Sequence, residues 1–235
     1  MQVEVFSDVV CPWCYIGKRR LEQALAGFAH ADDVTVTFRS FQLDPTTPKD
    51  AAGTLTERLA DKYGVPLAQA EAMNERVSTV AASVGLDFHL DRAHPANTLD
   101  AHRLLHFAAE HGKQAELKER LMRAYFTEGL RLGDAQTLVR LAAEVGLDGD
   151  AARTALDGDE YASDVVEDLS LARSFGISAV PFFVIDRKYG ISGAQESAVL
   201  LQALEQAWSE ANPLTMVTAA AGPAADDCAD GSCAV

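Results

Sequence analysis

The sequence predicts an α/β fold in which a long helical subdomain interrupts a unit of strands and helices. Three observations carry this prediction. The N-terminal residues pass from alternating to helical spacing and back; helix-period segments then run from about Thr54 to Phe175; and β-rich runs return at Val180.

The elements follow in order. Gln2 to Phe6 alternate as a short strand, and Ile16, Leu21, Ala24, Leu25 and Phe28 recur near helical spacing after Cys14. Val34, Val36 and Phe38, continuing through Phe41 and Leu43, read as a second strand ended by Asp44, Pro45 and Pro48. The helical stretch is broken at Gly64/Pro66, Gly85, Pro95, Gly112, Gly129/Gly133, Gly146 and Gly158, with capping signals at Asn97/Thr98 and Asp134 and Pro66 at a first-turn position. Val180 to Asp186 is a β-rich run, Tyr189 to Gly193 its hairpin partner, and Ser197 to Trp208 a last helix. From Asn212 onward Ala, Gly and Asp dominate, a composition expected to stay flexible unless it docks.

With 235 residues, 48% of them hydrophobic, the chain can bury a substantial core. Its 20 basic and 35 acidic side chains give a net charge of −15, which disfavours nucleic acid and anionic lipid as partners. No window approaches the roughly 18 apolar residues of a membrane span. Met1 leads at once into a strand-like segment, so a cytoplasmic location is expected.

The four cysteines fall as two close pairs, Cys11/Cys14 and Cys228/Cys233. In a reducing compartment such pairs point to redox chemistry or metal binding before structural stapling. Cys11-Pro12-Trp13-Cys14 sits where a strand passes into a helix, so the helix N-terminus favours a thiolate. Cys11, nearer that end, is the expected nucleophile and Cys14 the resolving thiol. Pro12 stiffens the turn, and Trp13 offers an apolar face to a partner polypeptide. Paired cysteines of this spacing also occur as zinc half-sites, but the strand-to-helix setting favours redox work, and no metal is expected.

Around the dithiol stand Ser7-Asp8, Cys11-Pro12-Trp13-Cys14-Tyr15-Ile16-Gly17-Lys18, Asn97-Thr98 with Ala101-His102-Arg103, Val180-Pro181-Phe182 and Ile191-Ser192-Gly193-Ala194-Gln195. In these motifs the chain resembles the DsbA-like branch of the thioredoxin superfamily, specifically its FrnE-type members, over about residues 2 to 210. The resemblance implies a thioredoxin-like fold with a large all-helical domain inserted between its second and third strands. The domains would be 1–50 together with 176–211, the insertion 51–175, and a tail 212–235 that carries the second cysteine pair. It also implies a cis Val180-Pro181 bond facing the dithiol, with the Val180 backbone pairing to an extended substrate. Asn97 and His102 would contact substrate from the helical domain.

Thiol-disulfide exchange on protein or small-molecule disulfides is therefore the expected activity, with no cofactor beyond the dithiol and glutathione as a conceivable co-substrate. Related isomerases of 2-hydroxychromene-2-carboxylate and some glutathione transferases share the architecture but generally carry serine where Cys11 stands. A glutathione-dependent isomerase or transferase is the alternative enzyme class, and a metal-binding or chaperone-like protein the non-enzymatic one. Homodimerisation stays open.

Secondary features complete the reading. Cys228 and Cys233 read as a second redox pair, although the neighbouring Asp226, Asp227 and Asp230 should raise their thiol pKa values. His102 and His106 share a helix face without the glutamate of a zinc-protease helix. Asp8 reads as a local Asx-type cap in preference to a proton relay, and Lys18, Arg19 and Arg20 as a solvated face. Trp208, Phe182 and Phe183 read as core, and Gly193 as a conformational glycine.

Overall fold

A computed structural model of the chain describes residues 1–214. The sheet has the order β2-β1-β3-β4, built from β1 (Gln2–Ser7), β2 (Thr35–Ser40), β3 (Phe182–Ile185) and β4 (Tyr189–Ser192). β1 runs parallel to β2 and antiparallel to β3, and β3 and β4 form the hairpin. The first crossover is α1 (Pro12–Gly27), which returns the chain for a parallel partner.

Alternation along β1 splits its side chains between the two faces of the sheet. Val3 and Val5 pack with Leu21 and Ala24 of α1, with Phe28 just after it, and with Leu200 and Leu204 of α9 (Ser197–Ala211). Phe6 points the other way, onto Ala172 of α8 (Ala162–Ser174) and Ile177. Both faces are thus covered, and β1 is buried along nearly its whole length.

Between β2 and β3 the chain forms α2 (Leu55–Tyr63), α3 (Leu67–Ser83), α4 (Leu99–Glu110), α5 (Gln114–Phe126), α6 (Ala135–Glu144), α7 (Gly149–Asp157) and α8. Asp134 caps α6 by accepting from the Gln136 and Thr137 N–H groups. A Thr54/Glu57 capping box opens α2, and Asp148 caps α7. The apolar faces of α4 to α6 share one core with Cys11, Cys14, Tyr15 and Ile16.

Of the boundaries that differ from the sequence expectation, two bear on the site. The second strand ends at Ser40, because the Leu43 N–H donates to the Asp8 carboxylate at 2.8 Å and draws the chain off the sheet edge. The third strand begins at Phe182, after Val180 and Pro181. The Val180-Pro181 bond is cis, and Gly193, at φ +80°, donates its N–H to the Pro181 carbonyl at 2.8 Å. Cys228 and Cys233 lie outside the described residues.

Candidate active site

Cys11 is the N-cap of α1, with extended backbone, and Pro12 follows where no N–H is needed. The Cys11 carbonyl accepts from the Cys14 and Tyr15 N–H groups, at 3.0 and 3.3 Å, so the positive end of the helix dipole opens at the dithiol. Both cysteines are free thiols. Both are buried, but Cys11 lines the adjoining groove and Cys14 does not, which places Cys14 behind it. The Cys11 Sγ donates to the Val180 carbonyl at 3.8 Å, which joins the dithiol to the cis-proline loop.

The loop is brought close by Gly17. A Cβ there would lie 3.0 Å from Pro181 Cγ and 3.2 Å from Phe183 Cζ. Pro181 is itself buried and does not line the surface beside the thiols, whereas Val180 does. That surface is a groove of about 630 Å³. Cys11, Pro12, Trp13 and Val180 form one wall, and Leu59, Tyr63, Met73 and Val77 of α2 and α3 face them. Trp13 is 43% exposed at its mouth.

Behind the sulfurs lies a buried polar cluster. Asp8 Oδ1 and His102 Nε2 are 3.2 Å apart, and Asp8 Oδ2 accepts from Leu43. Lys118 of α5, fully enclosed, donates to the Ser7 carbonyl at 3.3 Å and lies 5.8 Å from the Phe38 ring centre. Ser7 Oγ and His102 Nδ1 have no partner among the described residues.

Electrostatics separates the roles of these groups. Burial pushes the Cys14 thiol well above its usual range, and the neighbouring Cys11 adds to that, while Lys118 pulls the other way. Burial also brings the Lys118 ammonium down to about 8, against the opposing pull of Cys14, Asp8 and Cys11. For Asp8 burial favours protonation, but His102, the Leu43 N–H and Lys118 together hold the carboxyl below its ordinary value. Burial lowers the His102 pKa, partly offset by Asp8.

Several expectations need correction. His102 is 0% exposed and hydrogen-bonded to Asp8, so it supports the site from within and touches no substrate. Asn97 does not line the groove, and its polar atoms are taken: its amide donates to the Pro45 and Thr47 carbonyls and its oxygen accepts from Leu99. Asp8 is no local cap, since both its oxygens reach residues far along the chain. His106 pairs with Ser40 and Asp168, away from His102's partner, and among the described residues no group of three or more His, Cys, Asp or Glu side chains could hold a metal ion. Lys18 and Arg20 are buried, not a solvated face; Lys18 pairs with Glu22 and Glu119, Arg20 with Glu196.

Sequence reasoning missed Lys118. Its signal was present: Leu121 and Met122, three and four residues on, place it on the apolar stripe of α5, where a lysine is unusual.

Comparison with known proteins agrees with this architecture. Among solved structures, a probable DsbA oxidoreductase from Streptomyces coelicolor shares 42% identity, with 99% of this chain and 100% of that one covered and a TM-score of 0.87. The cytosolic disulfide reductase DsbM from Pseudomonas aeruginosa shares the fold at 18% identity, 89% and 100% coverage and a TM-score of 0.63. The uncharacterised protein YwbO of Bacillus subtilis (strain 168) is 31% identical over 189 residues, 79% of this chain and 86% of its own length. The sequence profile of the DSBA-like thioredoxin domain matches residues 2–205, and the chain belongs to that family.

Proposed function

We propose that this protein is a thiol-disulfide oxidoreductase or isomerase in which Cys11 attacks and Cys14 resolves. The observation that carries the reading is the asymmetry of the pair: Cys11 caps α1 at the edge of an open groove, and Cys14 is enclosed behind it with a raised pKa.

In the reducing direction the Cys11 thiolate attacks one sulfur of a substrate disulfide. A Cys11–substrate bond forms, the substrate S–S bond breaks, and one substrate thiolate leaves. Cys14 then loses its proton and attacks Cys11 Sγ, closing the Cys11–Cys14 disulfide and releasing the second substrate thiolate. The substrate gains two electrons and the dithiol loses two; the reverse sequence donates the disulfide. A small thiol such as glutathione serves as the co-substrate that resets the pair. Val180 offers its backbone to an extended substrate, and Pro181 fixes the loop from below. Cys228 and Cys233 form an accessory pair that exchanges with Cys11, and the reaction belongs to the cytoplasm.

The test is catalysed reactivation of a scrambled-disulfide protein in a defined glutathione buffer. Cys11→Ser is expected to abolish activity, and Cys14→Ser to accumulate a covalent mixed disulfide visible by mass spectrometry. Cys228→Ser is expected to slow turnover without abolishing it. Full activity in Cys11→Ser would sink the assignment, and unchanged turnover in Cys228→Ser would remove the tail from the cycle.

A further inference from the structure

The groove beside Cys11 is not uniform in charge. On a chain of net charge −15, most lysines and arginines sit within 4 Å of a carboxylate; Lys18, Arg19, Arg20, Arg39 and Arg58 are examples. Lys62 of α2 and Arg76 of α3 both line the groove and are exposed. Neither has a carboxylate within 4 Å among the described residues. Arg58, also on the wall, is already tied to Asp44 and to Thr47 Oγ1, so it closes the α2 side of the groove and is not available to a ligand.

Below these two cations the lining is apolar: Leu55, Leu59, Met73, Val77 and Val80 come from the same helical hairpin. Trp13, Leu43 and Tyr63 extend apolar surface around the mouth. An aliphatic or aromatic side chain can be buried here, which a small hydrophilic thiol cannot exploit. The Val180 carbonyl beside Cys11 suits an extended backbone.

We propose that the α2–α3 hairpin makes this groove selective for polypeptide segments in which the reacting cysteine is flanked by an apolar residue and an acidic one, with Lys62 and Arg76 receiving the carboxylate. The proposal rests on the exchange activity inferred above. The two cations act on encounter and binding and take no part in sulfur chemistry, so their effect falls on kcat/KM and is screened by salt.

The test uses the full chain and two synthetic peptide disulfides that match except for the residues flanking the cysteine, one pair carrying Leu and Glu, the other Leu and Lys. At low ionic strength the acidic peptide is expected to react with kcat/KM about fivefold higher, the scale two exposed ion pairs can supply. The ratio should approach one in high salt and invert in the double variant Lys62→Glu/Arg76→Glu. Should that variant fold poorly, Lys62→Gln/Arg76→Gln is expected to bring the ratio to one.

The outcomes separate. Equal kcat/KM for both peptides at low salt, with exchange proceeding, overturns the charge selectivity and leaves the activity standing. Reaction with glutathione disulfide but with neither peptide overturns the polypeptide occupant. Reaction with none of the three refutes the exchange activity itself.

Discussion

The residue whose substitution separates stability from redox function is Lys118. Its ammonium is enclosed with one hydrogen bond, to the Ser7 carbonyl, and faces Cys11, Cys14 and Asp8, with Lys18 and His102 also near this cluster. Its pKa falls on folding from 10.5 to about 8. Between those values the unfolded chain binds more protons, so this group makes stability rise with pH across that window. Below pH about 8 the cost of burying the charge is fully present. Lys118→Met is therefore expected to stabilise the protein by roughly 2 kcal/mol at neutral pH and to flatten the pH 8–10.5 rise. The same change removes the cation that opposes the rise of the Cys14 pKa, so the thiolate titration, followed by ultraviolet absorbance, should move upward. A variant that melts lower with an unchanged thiol titration would make Lys118 a packing residue and nothing more. Asp8 and His102 work in the opposite pH range. A depressed carboxyl pKa gives stability above about pH 4 that is lost as pH falls through the folded value, and buried neutral His102 adds loss below about pH 6.5.

At the scale of elements, α1 joins the thiols to the proline loop, and Gly17 sets how closely it does so. The Cβ of an alanine at 17 would press on Pro181 at 3.0 Å, a few tenths of an ångström too close, while the helix gains from losing a glycine. Valine adds branches that neither Pro181 nor the Phe183 ring can accommodate. Gly17→Val is expected to displace the loop and cut kcat/KM for disulfide exchange by at least about tenfold, given how steeply rate depends on placement of reacting groups. Alanine should cost far less. Equal activity in glycine and valine forms would show that the loop position does not govern the reaction. This approach is only half legible in sequence. The Cys11-Pro12-Trp13-Cys14 motif announces the helix start, and the Val180-Pro181 pair announces a loop, since their chemistry is local. That Gly17 meets Pro181 is set by α1 crossing the sheet. Likewise the substrate contact that the resemblance implies for Asn97 is excluded only by the fold, since its carbonyl partners, Pro45 and Thr47, lie far away in sequence. The same holds for His102, where only tertiary structure reveals that Asp8 fills its hydrogen bond.

Over the whole molecule the helical insertion was legible from its period and the sheet from its alternation, but the division between the two is less sharp than the sequence implies. α1 crosses it. Tyr15 and Ile16 of its first half lie in the core of the insertion, and Leu21 and Ala24 of its second half lie in the core between sheet and α9. A helix 16 residues long cannot keep one half without the register of the other, so the two cores should melt together. That expectation is not the default for a chain of 235 residues, where independent units often unfold separately. The two tryptophans permit a direct check, because Trp13 stands at the mouth of the groove while Trp208 stacks on His30, 4.2 Å between ring centres, beside the other core. In Trp208→Phe only Trp13 fluoresces, and in Trp13→Phe only Trp208. Within each variant, the fluorescence midpoint of thermal unfolding is expected to coincide with that of helical circular dichroism. Comparison inside one variant removes the small shift each substitution makes in its own right. A Trp208 transition that precedes loss of helix would mean that the sheet and α9 open alone and that α1 does not couple the cores. Coincidence in both variants means that a substrate docking on α2 and α3 stabilises the thiol helix as well, because the surface that binds and the element that reacts then belong to one cooperative unit.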